Sequence, residues 1–324
     1  MAIACLLIAN SHLEGLYPRS WMAADGLLGN SIFFLLAGYG CAVSQSKKPY
    51  ALGTFYWRRV SRIYPTLFVV MIIGWLFSLS YRPQNITEVA KQLFWPTHYK
   101  FIAQIMIFYP VAWFLARFDF GKVRLALFGG ILVWLAFVTQ ASVAAAATGE
   151  KISLGSLPAT IWWSFFFCVF LLGVTFGKRD AVEGDHPSKN AVILTLLAGG
   201  CFVAYVGLKF LYSRAQLSFI PQTASCAILQ TLGFIVVAAL FLLRHQIQAL
   251  LHSCKLQKAA VWLGKSSLQV YLCHMWFAHL FEETSLPWLA KVGLFFVTSI
   301  VAAWLLRIGM EAGEKALSNK KVTQ

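Results

Sequence analysis

Ten continuous apolar runs, each bounded by charged or turn-forming residues, dominate this sequence; they lie near 2–17, 27–44, 65–81, 101–117, 124–142, 159–177, 190–212, 223–243, 266–283 and 289–307. A run of about 20 apolar residues matches the hydrocarbon thickness of a bilayer. Backbone N–H and C=O groups in hydrocarbon must pair within their own segment, and apolarity that is uninterrupted rather than alternating specifies helices, not barrel strands. The expected fold is therefore all-α, a polytopic transmembrane helical bundle of about ten spans. These spans leave no stretch for a separate soluble domain, so 1–324 reads as a single membrane-embedded domain. Composition excludes a soluble enzyme: 59% of residues are hydrophobic, 12% are charged, and the mean hydropathy is +0.68.

The formal net charge of +15 depends for its meaning on where the basic residues fall. With the N-terminus inside, the inner connections and tail hold 19 of the 27 Lys and Arg residues, among them Lys47, Lys48, Arg58, Arg59, Arg62, Lys178, Arg179, Lys189 and Arg244. The positive-inside rule then puts both termini in the cytoplasm and the chain in the cytoplasmic (inner) membrane, multi-pass. The basic excess reads as topology and contact with anionic lipid headgroups, with no nucleic-acid partner. Seven cysteines are scattered without metal-ligand spacing, so no metal site and no disulfide framework is expected. The stretch from Arg244 to Lys265 mixes apolar and basic residues and is expected to form an interfacial helix.

Polar residues at membrane depth are expensive and direct attention to function. The first group is Asn10, Ser11, His12 and Glu14 in the first span. On an uninterrupted helix Asn10 and Glu14 share a face and His12 lies nearly opposite, so Glu14 orients His12 only if the helix breaks near Gly15; Arg19 is another partner open to Glu14. The second group is Trp57-Arg58-Arg59-Val60-Ser61-Arg62-Ile63-Tyr64-Pro65. Three arginines in five residues suit bidentate phosphate binding, and Pro65 suits the first turn of a helix whose free N–H groups also favour phosphate. Snorkelling arginines would read the same way. The third group is Ser267, Tyr271 and His274, a polar stripe along one face of an otherwise apolar helix, suited equally to a site or to interhelical hydrogen bonds.

With His12, the stretches GNSIFFLLAGYG at 29–40, FYWRRVSRIYP at 55–65 and LGKSSLQVYLCH at 263–274 stand in an order and spacing that resemble acyltransferase family 3, a family of integral membrane acyltransferases. The resemblance implies about ten spans with cytoplasmic ends, and transfer of an acyl group, usually acetyl from acetyl-CoA, to a hydroxyl. Acceptors in the family are cell-envelope glycans, lipid-linked sugars or secondary metabolites. Two positions depart from the family pattern. Met1 stands where the family carries Arg or Lys eleven residues before the histidine, which suggests an upstream segment. Before Phe108-Tyr109, the place of the family's acidic residue is held by Ile105, with Gln104 adjacent.

The resemblance implies an O-acetyltransferase in which Arg58, Arg59 and Arg62 hold the phosphates of acetyl-CoA. His12 is the expected general base on the acceptor hydroxyl, with Tyr271 or Asn10 on the developing oxyanion. Glu14, Ser267 and His274 are assigned to contacts with the acceptor, expected to be an envelope or exported polysaccharide or a lipid-linked saccharide. The alternative of another class is a proton-coupled transporter or flippase for an anionic or lipid-linked substrate. Such proteins often show matched broken helices in two halves, and no such pairing is visible here.

Overall fold

The computed structural model describes residues 1–19, 22–23, 26–79, 82–94, 99–148, 157–213 and 222–322. Among them the chain is all-helical. The elements are α1 (Ala2–Ser11), α2 (Gly26–Lys47), α3 (Leu52–Leu76), α4 (Ile86–Phe94), α5 (Lys100–Leu115), α6 (Phe120–Thr148), α7 (Ala159–Glu183), α8 (Ala191–Ser213), α9 (Gln222–Leu242), α10 (Arg244–Ser253), α11 (Gln257–Lys265), α12 (Ser267–Glu282) and α13 (Trp288–Val322). Seven of these, α2, α3, α6, α7, α8, α9 and α13, are long and apolar enough to cross a membrane. The other three expected spans fall on shorter helices, α1, α5 and α12.

Three expectations about element boundaries are corrected. The span expected at 65–81 is a helix that begins at Leu52, so Pro65 stands inside α3 and not at its first turn, and the arginines project from the helix body. Pro65 supplies no N–H to the carbonyl one turn earlier, a defect that transmembrane helices tolerate when other groups satisfy the freed carbonyl. The run expected at 2–17 is helical only to Ser11. The interfacial segment 244–265 forms two short helices, α10 and α11, because Lys255 adopts a left-handed backbone (φ 57°) between them. The capped helix α4 was not foreseen; its start is a capping box, with Glu88 N–H donating to Asn85 Oδ1 (2.9 Å) and Gln84 N–H to Glu88 Oε2 (2.7 Å).

Contacts group the chain into two compact units. The first comprises residues 1–26, 53–103 and 258–324. In it, α1 runs beside α12, and α12 packs on α13. Its core is an apolar cluster of Ala9, Leu13, Leu16, Ala278, Phe281 and Phe295.

The second unit comprises residues 27–52 and 104–257. A close seam joins α2 and α7, where Gly38 of α2 lies against the backbone of Phe170 and Val174, and Gly173 and Gly177 of α7 lie against that of Leu35 and Tyr39. A Cβ built on Gly173 would overlap the Leu35 carbonyl, and one on Gly38 would overlap the Phe170 carbonyl. Glycines four apart let two helix backbones approach this closely in lipid, where no hydrophobic effect drives helix association. At the end of α5, Lys178 Nζ donates to the Ala116 carbonyl (2.6 Å), so a lysine from α7 satisfies an orphan helix-end acceptor.

A charged cluster closes the α7–α8 connection. Arg244 donates to the buried Asp180 (2.6 Å) and to Asp185, Arg179 donates to Asp180 (2.9 Å), and His245 Nε2 lies 2.7 Å from Asp185 Oδ1. Burial raises the Asp185 carboxyl, but hydrogen bonds and charge from His245 and Arg244 outweigh it and hold the group below its ordinary value.

Gly173→Ala should lower the thermal midpoint in detergent, at a cost of about 1–3 kcal/mol for overpacking, whereas Gly199→Ala, whose Cβ meets nothing within 4 Å, should leave it unchanged. Equal midpoints would contradict the close seam. Because the Asp185 carboxyl is held low in the folded chain, its stabilising share is present at neutral pH and disappears as pH falls through that lowered value. The midpoint gap between wild type and Asp185→Asn should be open at pH 7, begin to narrow below about pH 4 and close as pH falls through the lowered value; a gap that persists in strong acid would contradict the assignment.

Candidate active site

The candidate residues on α1, α3 and α12 all belong to the first unit. α1 stops at Ser11 because the polar Asn10-Ser11-His12 sequence turns its side chains onto the backbone. Ser11 Oγ donates to the Ile8 carbonyl (2.6 Å), and the His12 and Leu13 N–H groups bond to the Ala9 and Asn10 carbonyls in tightened turns. His12 thereby becomes the C-cap of α1 (φ −98°, ψ 11°) with an exposed side chain. The helix breaks before Glu14, so the face-sharing expected of Asn10 and Glu14 does not arise. Glu14 is exposed, and among the described residues no ion pair joins it to Arg19.

The chain beyond His12 is held from both sides. Leu13 and Leu16 are buried in the cluster with α12 and α13. Asn10 fastens the other side: its Oδ1 accepts from the Tyr17 hydroxyl (2.6 Å) and its Nδ2 donates to the Met22 carbonyl (3.4 Å). The Asn10 amide is thus engaged with Tyr17 and Met22.

Opposite His12, α12 supplies His274, with ring centroids 5.0 Å apart and planes inclined by 50°. Tyr271 lies one turn before it, at 6.1 Å between ring centroids. Ser267 and His274 are buried and Tyr271 is half-buried. Sequence reasoning missed the residues that wall this group. Tyr99 donates its hydroxyl to the Leu272 carbonyl (2.9 Å), Phe101 meets the Tyr271 ring edge-on at 5.4 Å, and Phe295 of α13 packs edge-on to His274 at 6.5 Å. These contacts join segments far apart in sequence, and only the Tyr99-Lys100-Phe101 aromatic pair at the mouth of α5 hinted at them. His279 is exposed, with Nδ1 3.6 Å from Glu282 Oε2.

On α3, Arg58 and Arg62 are four residues apart and both exposed. Arg59 is half-buried, donates to the Phe55 carbonyl (3.0 Å) and stacks over the Phe55 ring at 3.6 Å. Two guanidinium groups therefore share an exposed helical face, while the third is drawn toward its own helix. In the second unit, Gln104 and Ile105 of α5 are buried, and α5 carries no acidic side chain.

The first unit thus holds an exposed histidine at a broken helix end, faced by a buried histidine that a tyrosine neighbours one turn along α12. Residues 2–308, nearly the whole chain, match the acyltransferase domain of acyltransferase family 3, and the chain belongs to that family of membrane acyltransferases. No curated protein and no solved structure matches it significantly.

If the Asn10–Tyr17 bond fixes the segment after His12, Tyr17→Phe and Asn10→Ala should each destabilise the chain by about 1 kcal/mol, and the double variant should cost less than their sum. A double-mutant cycle of thermal midpoints reads the coupling; strict additivity would show that the bond does not act.

Proposed function

We propose that this chain is a membrane-embedded O-acetyltransferase that moves acetyl from acetyl-CoA to a hydroxyl of an envelope or exported polysaccharide or a lipid-linked sugar. The observation that carries the reading is His12: an imidazole freed from its helix, exposed, and faced by the His274 ring of α12, which Tyr271 in turn neighbours. An exposed imidazole suits a general base that accepts the proton of an incoming hydroxyl.

Arg58 and Arg62 present two charged forks on one turn of α3, suited to the phosphates of CoA by bidentate hydrogen bonds. Arg59 adds positive charge beside them and, through its hold on Phe55, stiffens that turn. The acceptor oxygen gives its proton to His12 as it attacks the thioester carbonyl. The tetrahedral oxyanion that forms is suited to the Tyr271 hydroxyl. Collapse breaks the C–S bond, and the CoA thiolate takes the proton back from His12. Glu14 and Ser267 remain the candidates for acceptor contact. The basic connections between helices favour a cytoplasmic face for the donor, where acetyl-CoA is made, and a location in the inner membrane.

Purified protein with radiolabelled acetyl-CoA and a membrane-glycan extract tests the reading. Label should pass to the glycan. Arg58→Ala/Arg62→Ala should raise the KM for acetyl-CoA about tenfold, since a contact kept in ground and transition states alike is uniform binding. His12→Ala should reduce kcat by about 10²-fold with KM little changed. Near-normal turnover by His12→Ala would remove the base assignment, and unchanged donor affinity in the double variant would remove the phosphate clamp.

A further inference from the structure

The two histidines of the first unit differ in what surrounds them. His274 is 2% exposed, and its Nδ1 lies 2.8 Å from the Tyr271 carbonyl and 3.1 Å from the Val270 carbonyl. A carbonyl oxygen only accepts, so Nδ1 carries the ring proton, and in the neutral ring the lone pair is on Nε2. That Nε2 is buried and has no hydrogen-bond partner among the described residues. A buried acceptor left unpaired is costly, which marks it as waiting for a donor.

The neighbouring ring with N–H groups to offer is His12. Two imidazoles joined by one N–H···N bond of about 2.9 Å place their centroids about 5 Å apart. The observed separation is 5.0 Å, the spacing that such a bond requires. His12 is exposed and His274 is buried behind it, so a substrate hydroxyl reaches the first ring and not the second. Glu14, the carboxylate nearest in sequence, is exposed, and no ion pair or hydrogen bond ties it to His12 among the described residues.

We propose that His274 is the positioning residue of His12: its fixed Nε2 lone pair accepts one ring N–H of His12 and leaves the other His12 nitrogen unprotonated toward the acceptor hydroxyl. This rests on the base role of His12 given above. In the reaction the hydroxyl proton moves to that free nitrogen while the oxygen–carbon bond forms. His12 is then an imidazolium whose second N–H stays on His274, and His274 itself exchanges no proton. When the C–S bond breaks, the thiolate takes the proton from His12 and restores the starting tautomer. A neutral imidazole here fills the place that a carboxylate holds in serine-hydrolase triads, where loss of the orienting group costs up to about 10⁴-fold through the wrong tautomer. A neutral acceptor orients more weakly than a charged one.

Solid-state ¹⁵N NMR on lipid-reconstituted full chain labelled at histidine reads the tautomer directly, with His12→Gln and His274→Gln assigning the two rings among the seven histidines. In wild type His12 should show one tautomer, and in His274→Phe a mixture of both. In the acetyl-transfer assay His274→Phe should lower kcat about tenfold or more with the KM for acetyl-CoA unchanged. His274→Gln places an amide oxygen where the Nε2 lone pair stood, and should keep the single His12 tautomer and recover most of the lost kcat. The same His12 tautomer population in wild type and His274→Phe would overturn the proposal, as would a mixture in His274→Gln. Should His274→Phe fail to insert, the His274→Gln spectrum decides alone. Absence of acetyl transfer by wild type would instead sink the acetyltransferase reading, and the spectra would still decide whether His274 orients His12.

Discussion

The first unit depends on where α1 stops. A helix end leaves backbone N–H and C=O groups without intrahelical partners, so the chain around it must supply them. Here the partners are local: the Ser11 hydroxyl folds back on Ile8, the next N–H groups tighten onto Ala9 and Asn10, and the Asn10 amide reaches forward to Tyr17 and Met22. A continuous helix would have carried His12 round on a face set by the 3.6-residue repeat. A terminated one leaves its side chain outside the packed face, while Leu13 and Leu16 anchor the backbone immediately behind it. Accessibility and fixed position, which usually oppose each other in a side chain, are thus obtained from the same three polar residues.

The second unit is built on the opposite principle, the removal of side chains. Gly38, Gly173 and Gly177 bring α2 and α7 to backbone contact, and the aromatic rings of Phe34, Phe108, Phe166 and Phe170 fill the space beside that seam. Where the helices leave the apolar region, the Arg179–Asp180–Arg244–Asp185–His245 cluster ties the α7–α8 connection to the start of α10. Asp180 is accommodated in a buried position because two guanidinium groups meet it. Lys178 and Arg244, counted in the sequence only as inside-positive charge, are therefore specific caps and clamps.

Continuous apolarity made the helical class readable, and the positions of the long spans followed from the apolar runs. What escaped the sequence were terminations and long-range neighbours. The polar Asn10-Ser11-His12 sequence was visible, but the apolar Leu13 and Leu16 continue the run past it; their burial is decided by α12 and α13. Pro65 misled in the other direction, since its usual place at a helix start outweighed the fact that Leu52–Tyr64 also suits a helix. The stripe of Ser267, Tyr271 and His274 was legible from its three-and-four spacing. That His12 would face it was not, because α1 and α12 lie more than 250 positions apart and only their packing joins them.

The ring that faces His12 among the described residues is another imidazole, that of His274. A carboxylate beside an imidazole raises its basicity but also carries a charge that must be solvated or paired at depth. A neutral histidine orients the base through a lone pair and adds no charge to an apolar core; Phe295 and the other apolar neighbours of His274 can then pack closely around it. The orienting group must itself hold one tautomer, and in α12 the backbone does this: the Val270 and Tyr271 carbonyls, four and three residues earlier, take the Nδ1 proton. A helix can thus set the tautomer of one histidine by its own geometry, and pass that asymmetry to a second across a helix interface, with no acidic side chain in the chain of contacts.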